Sequence, residues 1–331
     1  MKTGCPSHGI ASTECGVRSA PEWEARRNVP LHSMDVDVDR GAKFPWLACL
    51  IVAVGIGSGC AGSKPVAPTP KAKQEAERLA NQAATLQANG NWNGALAWWD
   101  RAAQQYALLH DRTNLAVAYH NLGMVRRSLG RMEEASADLE KAAHLNEQTG
   151  KREAWWRNQI GRVQVANDAG SAGAPALLSR LDGEPDRPTT GRLAAVLGHE
   201  RARARFSSGD GAGALAEAER AVSLYLQADD LAGTAATGVL CGRILRNLGR
   251  NEEAIVFWRE SLSMFERLGD PRGITVSLAG WGGSLAATGR DKRLAHEILK
   301  HAEVSYRILG HLAEAEEVAR ERDALVPAEE R

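Results

Sequence analysis

Two short patterns in the sequence contain the residue types of a catalytic or cofactor site. Gly57, Gly59 and Gly62 follow an apolar run in the spacing of a dinucleotide-binding turn, which must open a helix to hold a pyrophosphate. The next residues, 63–71, contain three prolines and cannot open that helix, because proline lacks an N–H and restricts the residue before it. The pattern therefore predicts no nucleotide cofactor.

The second pattern resembles the zinc-binding pair of a protease. His296-Glu297 is followed by His301, one residue beyond the i, i+4 spacing that places two histidines on one helical face. His199-Glu200 has Arg203 where the second histidine would stand. The chain also lacks a Gly-x-Ser-x-Gly elbow, a phosphate-binding lysine loop and a Cys-x-x-Cys pair. We therefore predict neither a metal site nor an enzyme.

The glycines at 57–62 fit a different role. Arg40 and Lys43 precede a 13-residue apolar run at 44–56, which is too short to span a membrane but has the length of a signal-peptide core. Small residues then lead to Cys60. This arrangement resembles a bacterial lipoprotein signal, which implies cleavage before Cys60 and acylation of its thiol. An ordinary secretory signal cut near Gly59 or Gly62 is the alternative.

The resemblance to a lipoprotein signal also defines the segments at the N-terminus. We assign 34–59 to the signal peptide, 60–72 to a flexible tether, and 1–33 to an upstream extension that is over-called or disordered. Ala61 is not the Asp that retains many such lipoproteins at the inner membrane, so the resemblance implies the periplasmic face of the outer membrane. Acyl chains together with their covalent attachment to Cys60 would meet the two-signal requirement for stable membrane anchoring.

Charge and cysteine content exclude several other classes. The 41 basic and 41 acidic residues balance, so nothing in the overall charge indicates nucleic acid as a partner. Downstream of Cys60 the only cysteine is Cys241, which excludes an intramolecular disulfide there.

The decisive pattern is a repeat of about 40 residues. Glycines recur with spacings of 40, 40, 39, 40 and 40, at Gly90, Gly130, Gly170, Gly209, Gly249 and Gly289. A small residue lies seven or nine positions before each, at Ala83, Gly123, Gly161, Ala202, Gly242 and Gly282. Each unit therefore reads as a helix, a left-handed glycine turn and a second helix, and such pairs must stack to bury their apolar faces.

These units resemble the tetratricopeptide repeat. In the second unit the matching positions are Tyr119, Leu122, Gly123, Gly130, Ala135, Leu139 and Ala142. The 40-residue form is similar to the repeats of kinesin light chains and of bacterial peptide-sensing regulators. The resemblance implies an all-α, right-handed superhelical solenoid of about six helix-turn-helix repeats. We divide it into an N-terminal half at 73–167, a degenerate third repeat and linker at 168–190, a C-terminal half at 191–311, and a capping helix and tail at 312–331.

In this fold the first helix of each pair lines the inner groove, and aligning the repeats predicts which side chains face it. The residue directly after the central small residue is an arginine in several repeats, and further arginines lie one helical turn after that position. Histidine or asparagine lies one helical turn before it. The predicted groove residues are His120, Arg127, Asn158, Arg162, His199, Arg203, Arg243 and Arg246. Arginine suits carboxylate recognition, so one hypothesis is an acidic or carboxylate-bearing peptide partner. An arginine-lined solvated face balanced by local glutamates fits the pattern equally well.

Three functions follow from these readings. The first is a non-catalytic, lipid-anchored scaffold that binds proteins or peptides in the cell envelope. The second is a peptide-sensing regulatory repeat protein, which would normally be cytoplasmic with an attached effector domain. The third, an enzyme, would need a catalytic set that the sequence does not contain.

Overall fold

The computed structural model describes residues 70–325 of the 331-residue chain. The extension at 1–33, the signal at 34–59, Cys60 and most of the tether at 60–72 lie outside the described residues, as does the end of the tail. The described helices all belong to the unit Pro65–Arg331. None of them is long and apolar enough to cross a membrane.

The described residues form helices joined by short turns, with no strand among them. Between residues 71 and 323 they make six consecutive helix pairs and one final helix. Their bounds are α1 Lys71–Ala88, α2 Trp92–Leu108, α3 Arg112–Ser128, α4 Met132–Gln148, α5 Arg152–Asp168, α6 Gly173–Asp182, α7 Gly191–Ser207, α8 Gly211–Gln227, α9 Leu231–Asn247, α10 Asn251–Leu268, α11 Pro271–Thr288, α12 Lys292–Ile308 and α13 Leu312–Asp323. Each helix packs mainly on its neighbours in sequence. The prediction of an all-α solenoid of six repeats is confirmed.

The turn inside each pair is closed by the glycine that the 40-residue period singles out. All six predicted turn glycines have positive φ, between 60° and 87°. The turns between pairs are less uniform, because His110 and Asp229 occupy this left-handed conformation where other pairs use glycine. A left-handed backbone conformation is unfavourable for residues with a Cβ, so His110 and Asp229 each reduce the stability of the fold slightly.

The small residues within the helices provide sockets for large side chains from the second helix of a pair. Leu139 of α4 lies between Gly123 of α3 and Gly161 of α5, and a Cβ on Gly123 would come within 2.6 Å of the Leu139 Cγ. Trp258 of α10 lies in the same way between Gly242 of α9 and Gly280 of α11. Close approach of the helix axes therefore depends on glycine on both sides of one large residue.

The third pair departs from the others as the sequence predicts. Its second helix, α6, has 10 residues where α4 and α8 have 17. Pro175 lies in the first turn of α6, where a missing N–H costs nothing. Residues 183–190 then lead to α7 without a further helix.

One face of the stack is built by the odd-numbered helices. The contacts that skip a helix join α3 to α5, α5 to α7, α7 to α9, α9 to α11 and α11 to α13, and the α5–α7 contact is the most extensive. In a curved stack the elements on the inner side approach one another, so we call this surface the inner face.

Candidate functional site

Arg127 and Arg203, on the inner face, share a carboxylate of the chain itself. Asp168, the last residue of α5, accepts a hydrogen bond from Arg127 Nε at 2.5 Å and one from Arg203 Nη2 at 2.7 Å. A single aspartate thus links α3, α5 and α7. Burial acts to raise the pKa of Asp168, but the two arginines outweigh it and hold that pKa below its usual value.

A second acidic residue completes this polar cluster. Glu200 is 3% exposed and accepts hydrogen bonds from Arg203 Nη1 at 3.0 Å and from Asn167 Nδ2 at 2.8 Å. Asn167 also donates to the Glu200 carbonyl oxygen. Because α6 is short, α5 packs directly against α7 at this cluster. The polar contacts therefore join α3 and α7, which lie on either side of the degenerate pair.

Arg162 lies apart from this cluster. Its side chain is 12% exposed, and its guanidinium lies 3.3 Å from Glu140 of α4 and from Gln159 of its own helix. The cause is a difference in register: Gly161 precedes its turn glycine by nine residues, whereas Gly123 and Gly242 precede theirs by seven. An alignment on these small residues therefore matches Arg162 and Asn158 with residues that lie two positions away when counted from the turn glycine. Two positions correspond to about half a helical turn.

Arg243 and Arg246 line a cleft of about 630 Å³ between α9, α11 and α13, which we call the C-terminal cleft. Arg246 Nη2 donates to Glu321 of α13 at 2.6 Å. Arg243 is exposed and has no salt bridge within residues 70–325. Glu314 and Glu317 of α13 also line the cleft. Its acidic residues therefore outnumber its arginines.

His120 and Asn158 meet at the other end of the inner face. His120 Nδ1 lies 2.7 Å from Asn158 Oδ1, and because an amide oxygen can only accept, the proton is on Nδ1. Asn158 is 1% exposed, and its Nδ2 has no hydrogen-bond partner among residues 70–325. Burial lowers the pKa of His120, which favours the neutral ring.

This pair borders a pocket of about 240 Å³, which we call the N-terminal pocket. The pocket lies between α3 and α5 and is lined mainly by apolar surface. Its lining residues are Thr113, Ala116, Val117, His120, Asn146, Lys151, Ala154, Arg157 and Asn158.

His199 repeats the arrangement further along the inner face, with a different outcome. Its Nδ1 lies 2.9 Å from Oγ1 of Thr237, and the Thr237 hydroxyl donates to the Gly233 carbonyl oxygen at 2.7 Å. Because the hydroxyl proton is used in this bond, His199 Nδ1 is the donor, and the Thr237 hydroxyl has both a donor and an acceptor as partners. Burial also lowers the pKa of His199.

Comparison with known proteins identifies the repeat. The tetratricopeptide repeat model matches residues 75–148. Residues 75–148 therefore consist of tetratricopeptide repeats. No curated protein matches the sequence of the chain.

Two solved structures share the tetratricopeptide fold over most of both chains. One is a Rap protein complexed with Competence and Sporulation Factor, with a TM-score of 0.56 and 12% identity over 76% of this chain and 74% of that chain. The other is the Rap conjugation gene regulator of the plasmid pLS20 in complex with the Phr* peptide, with a TM-score of 0.55 and 15% identity over 81% and 79% of the two chains.

Several inner-face residues of this tetratricopeptide solenoid were not among those predicted from sequence. Asp168, Glu200 and Glu321 supply the carboxylates that pair with the arginines, and Thr237 is the partner of His199. One signal was available: His120 and Asn158 are 38 residues apart, as are His199 and Thr237. Within residues 70–325 no group of three His, Cys, Asp or Glu side chains could hold a metal ion.

Proposed function

We propose that this protein is a non-catalytic scaffold that binds a protein or peptide on its inner face. The observation that carries the proposal is the inner face itself, on which α3 to α13 present two openings, the N-terminal pocket and the C-terminal cleft. Solenoid repeats bind through extended surfaces of this kind. An inner face with two chemically different ends would also fix the direction in which a bound segment lies.

We further propose that the scaffold is lipid-anchored at Cys60 and faces the periplasm from the outer membrane. The support is the sequence before Cys60, with its basic residues, 13-residue apolar run and small residues. A tether would then place the solenoid close to the membrane, where it could hold other envelope proteins.

The anchoring proposal is tested with Cys60→Ser. The wild-type chain should incorporate labelled fatty acid and sediment with the envelope membranes, whereas the variant should lose both properties. If Cys60→Ser still incorporates label and still sediments with membranes, the anchor is not at Cys60.

Partner binding is tested by crosslinking in the native envelope followed by purification of the tagged protein. Arg243→Glu reverses an exposed inner-face charge that has no salt bridge in the described chain. Arg293→Glu is the matched control, because Arg293 is also exposed but lies on the even-numbered helix α12. Loss of crosslinked proteins with Arg243→Glu alone supports the inner face, and equal yields from both variants contradict its use near the cleft.

A peptide-sensing regulator is the second candidate. It is favoured by the fold shared with two Rap proteins whose structures contain a bound factor or peptide. In that case the chain would remain soluble after Cys60→Ser and retain its partner, and binding would change the curvature of the solenoid. Small-angle scattering of the protein with and without its crosslinked partner separates this candidate from a rigid scaffold.

A further inference from the structure

Helix α12 exposes a stripe of apolar side chains. Between residues 70 and 325, three of the eight exposed large apolar residues belong to this helix: Leu294, Val304 and Ile308. Their spacings of ten and four residues place them within about a quarter of the helix circumference. Ile308 is 79% exposed, so the described chain leaves this stripe uncovered.

A row of basic residues runs beside the stripe. Arg293, Lys300 and Arg307 are each seven residues apart, which is close to two helical turns, so they lie on one line along α12. All three are exposed, and the pairing of Arg307 with Glu303 is the only salt bridge that any of them makes within residues 70–325. Glu297 is the only exposed acidic residue of α12. We call the stripe and the row together the α12 surface.

The stripe is not a general feature of the repeat. When α10 is aligned with α12 on their buried alanines, Ala254 and Ala295, exposed polar residues occupy the three stripe positions: Glu253, Ser263 and Arg267. The same alignment on Ala135 of α4 gives Glu134, His144 and Gln148, which are also exposed. Packing of the solenoid therefore does not require apolar residues at these positions of α12.

Exposed cations next to apolar side chains suit an anionic lipid surface. At a membrane interface, apolar side chains enter the boundary between headgroups and acyl chains, while Lys and Arg are attracted to anionic headgroups. A second copy of this chain is a poor fit, because two such basic rows would repel each other. A nucleic acid would pair with the cations but leave the apolar stripe in water. Since no described helix is long and apolar enough to cross a membrane, α12 would lie on the lipid rather than span it.

We propose that the α12 surface binds an anionic membrane surface. Each cation near such a surface strengthens binding about fivefold, and salt screens the attraction. Three cations and three apolar side chains therefore orient an anchored protein, but they do not hold Cys60→Ser on envelopes that have been washed with salt. The inference goes beyond the proposed function: with α12 on the lipid, the inner face, which the odd-numbered helices build, remains open to a partner.

The test measures partitioning of the full chain carrying Cys60→Ser into two kinds of vesicle, one of phosphatidylcholine and one with about a third of phosphatidylglycerol. Residues 1–59 contain six basic and six acidic side chains, so the affinity of the apolar run at 44–56 should largely cancel in the ratio of the two partition coefficients. We expect a ratio of about tenfold or more at low salt, falling towards one at high salt. A ratio near one at low salt overturns the proposal.

Three variants in the same background locate the contact. Lys300→Gln removes one cation from the row and should lower the ratio about fivefold. Arg220→Gln is the matched control, because Arg220 is also exposed on an even-numbered helix, α8, and its loss changes the net charge equally; the ratio should stay the same. Ile308→Ser should weaken binding to the anionic vesicles several-fold. Since all three positions are exposed, the variants should fold, which thermal denaturation checks.

Two results from these variants would contradict the proposal. Equal losses with Lys300→Gln and Arg220→Gln would show that only the net charge matters. Unchanged binding of Ile308→Ser would show that the apolar stripe does not enter the lipid.

An acidic helix of a partner protein is the other occupant that this charge pattern fits. In that case Lys300→Gln and Ile308→Ser would remove a crosslinked protein from the envelope sample and leave vesicle partitioning unchanged, which overturns the lipid proposal. Contact with lipid gives no crosslink to a protein, so Arg293 remains a valid control for partner capture. Because the vesicle test uses a chain without an acyl group, fatty-acid labelling of Cys60 without a preference for anionic vesicles defeats this inference alone. A preference without labelling defeats the anchor alone.

Discussion

The two ends of the inner face differ in whether their polar groups have partners within the protein. In the C-terminal cleft the chain supplies acidic residues of its own, and Arg246 is paired with Glu321. Beside the N-terminal pocket, Asn158 has a buried donor for which the described part of the chain supplies no acceptor. An arginine in an aligned position is therefore a poor guide to a binding site, because its availability depends on which carboxylates the rest of the fold brings to it.

This difference changes the expectation for a partner. Four of the five predicted arginines pair with acidic residues of other helices, so an acidic ligand would have to compete with those carboxylates. The hypothesis of an acidic partner on the inner face now rests on Arg243. The alternative of arginines balanced by local acidic residues describes the middle of the face well.

The largest expected effects come from filling the glycine sockets, which differ between the halves. Gly242→Ala should lower the free energy of unfolding by about 2–3 kcal/mol, because a Cβ there would lie 2.6 Å from a Trp258 ring carbon, and the indole is rigid and hydrogen-bonded to Ser284. Gly123→Ala should cost about 1–2 kcal/mol, since the main obstacle there is the Cγ of Leu139, an aliphatic side chain that adjusts more readily than an indole. Urea denaturation measures both. A greater cost at Gly123 would contradict this account of the sockets.

Removing a shared carboxylate should cost more than removing an unshared one. Asp168→Asn leaves Arg127 and Arg203 without their common partner and should destabilise the fold by about 1–2 kcal/mol. Glu321→Gln breaks one partly exposed pair and should cost about 0.5 kcal/mol. Thermal denaturation of the two variants tests the ranking, and similar costs would show that Asp168 does not act as a link between three helices.

The two histidines should make stability fall as the pH is lowered. The pKa values of His120 and His199 are lowered in the folded state by burial, so the unfolded chain binds more protons in this range. Their contribution is fully present above the unfolded value of about 6.5 and is lost as the pH falls through the folded values. His120→Gln and His199→Gln should each flatten the stability profile between about pH 7.5 and pH 5.5. An unchanged slope in both variants would contradict the burial of these rings.

The smallest effects belong to the turns between pairs. Asp229→Gly and His110→Gly should each stabilise the fold by about 0.5 kcal/mol, because both residues have positive φ, near 50°, at positions where glycine is favoured. Differential scanning calorimetry measures the change. Destabilisation of either variant would show that the replaced side chain makes a contribution that outweighs the backbone relief.

Much of the fold follows from the sequence because its determinants are local. The six turn glycines predict the turns within pairs, and Pro175 marks the short helix of the third pair. The register inside α5 was harder, because Gly161 packs on Leu139 of the preceding pair whereas Gly123 packs on Leu139 of its own. An alignment on small residues treats these two kinds of glycine as equivalent. The spacing to the turn glycine, nine residues instead of seven, distinguishes them.

The site was less predictable because its contacts cross between pairs. Nothing near Arg127 in the sequence indicates Asp168, which lies 41 residues away, and nothing near Arg246 indicates Glu321, 75 residues away. The polar residues of α13 read as the exterior of a capping helix, yet Glu314, Glu317 and Glu321 line the cleft. The open donor on Asn158 is visible only once every other partner has been placed.

The central claim is that the inner face, and the N-terminal pocket in particular, is where a partner binds. A photo-crosslinking amino acid at position 117 tests it directly, with position 304 as the control, because Val117 and Val304 are both 50% exposed but only Val117 lines the pocket. On irradiation of intact envelopes, the account predicts a discrete crosslinked product from position 117 and none from position 304. Equal products from both positions, or a product from position 304 alone, would contradict it.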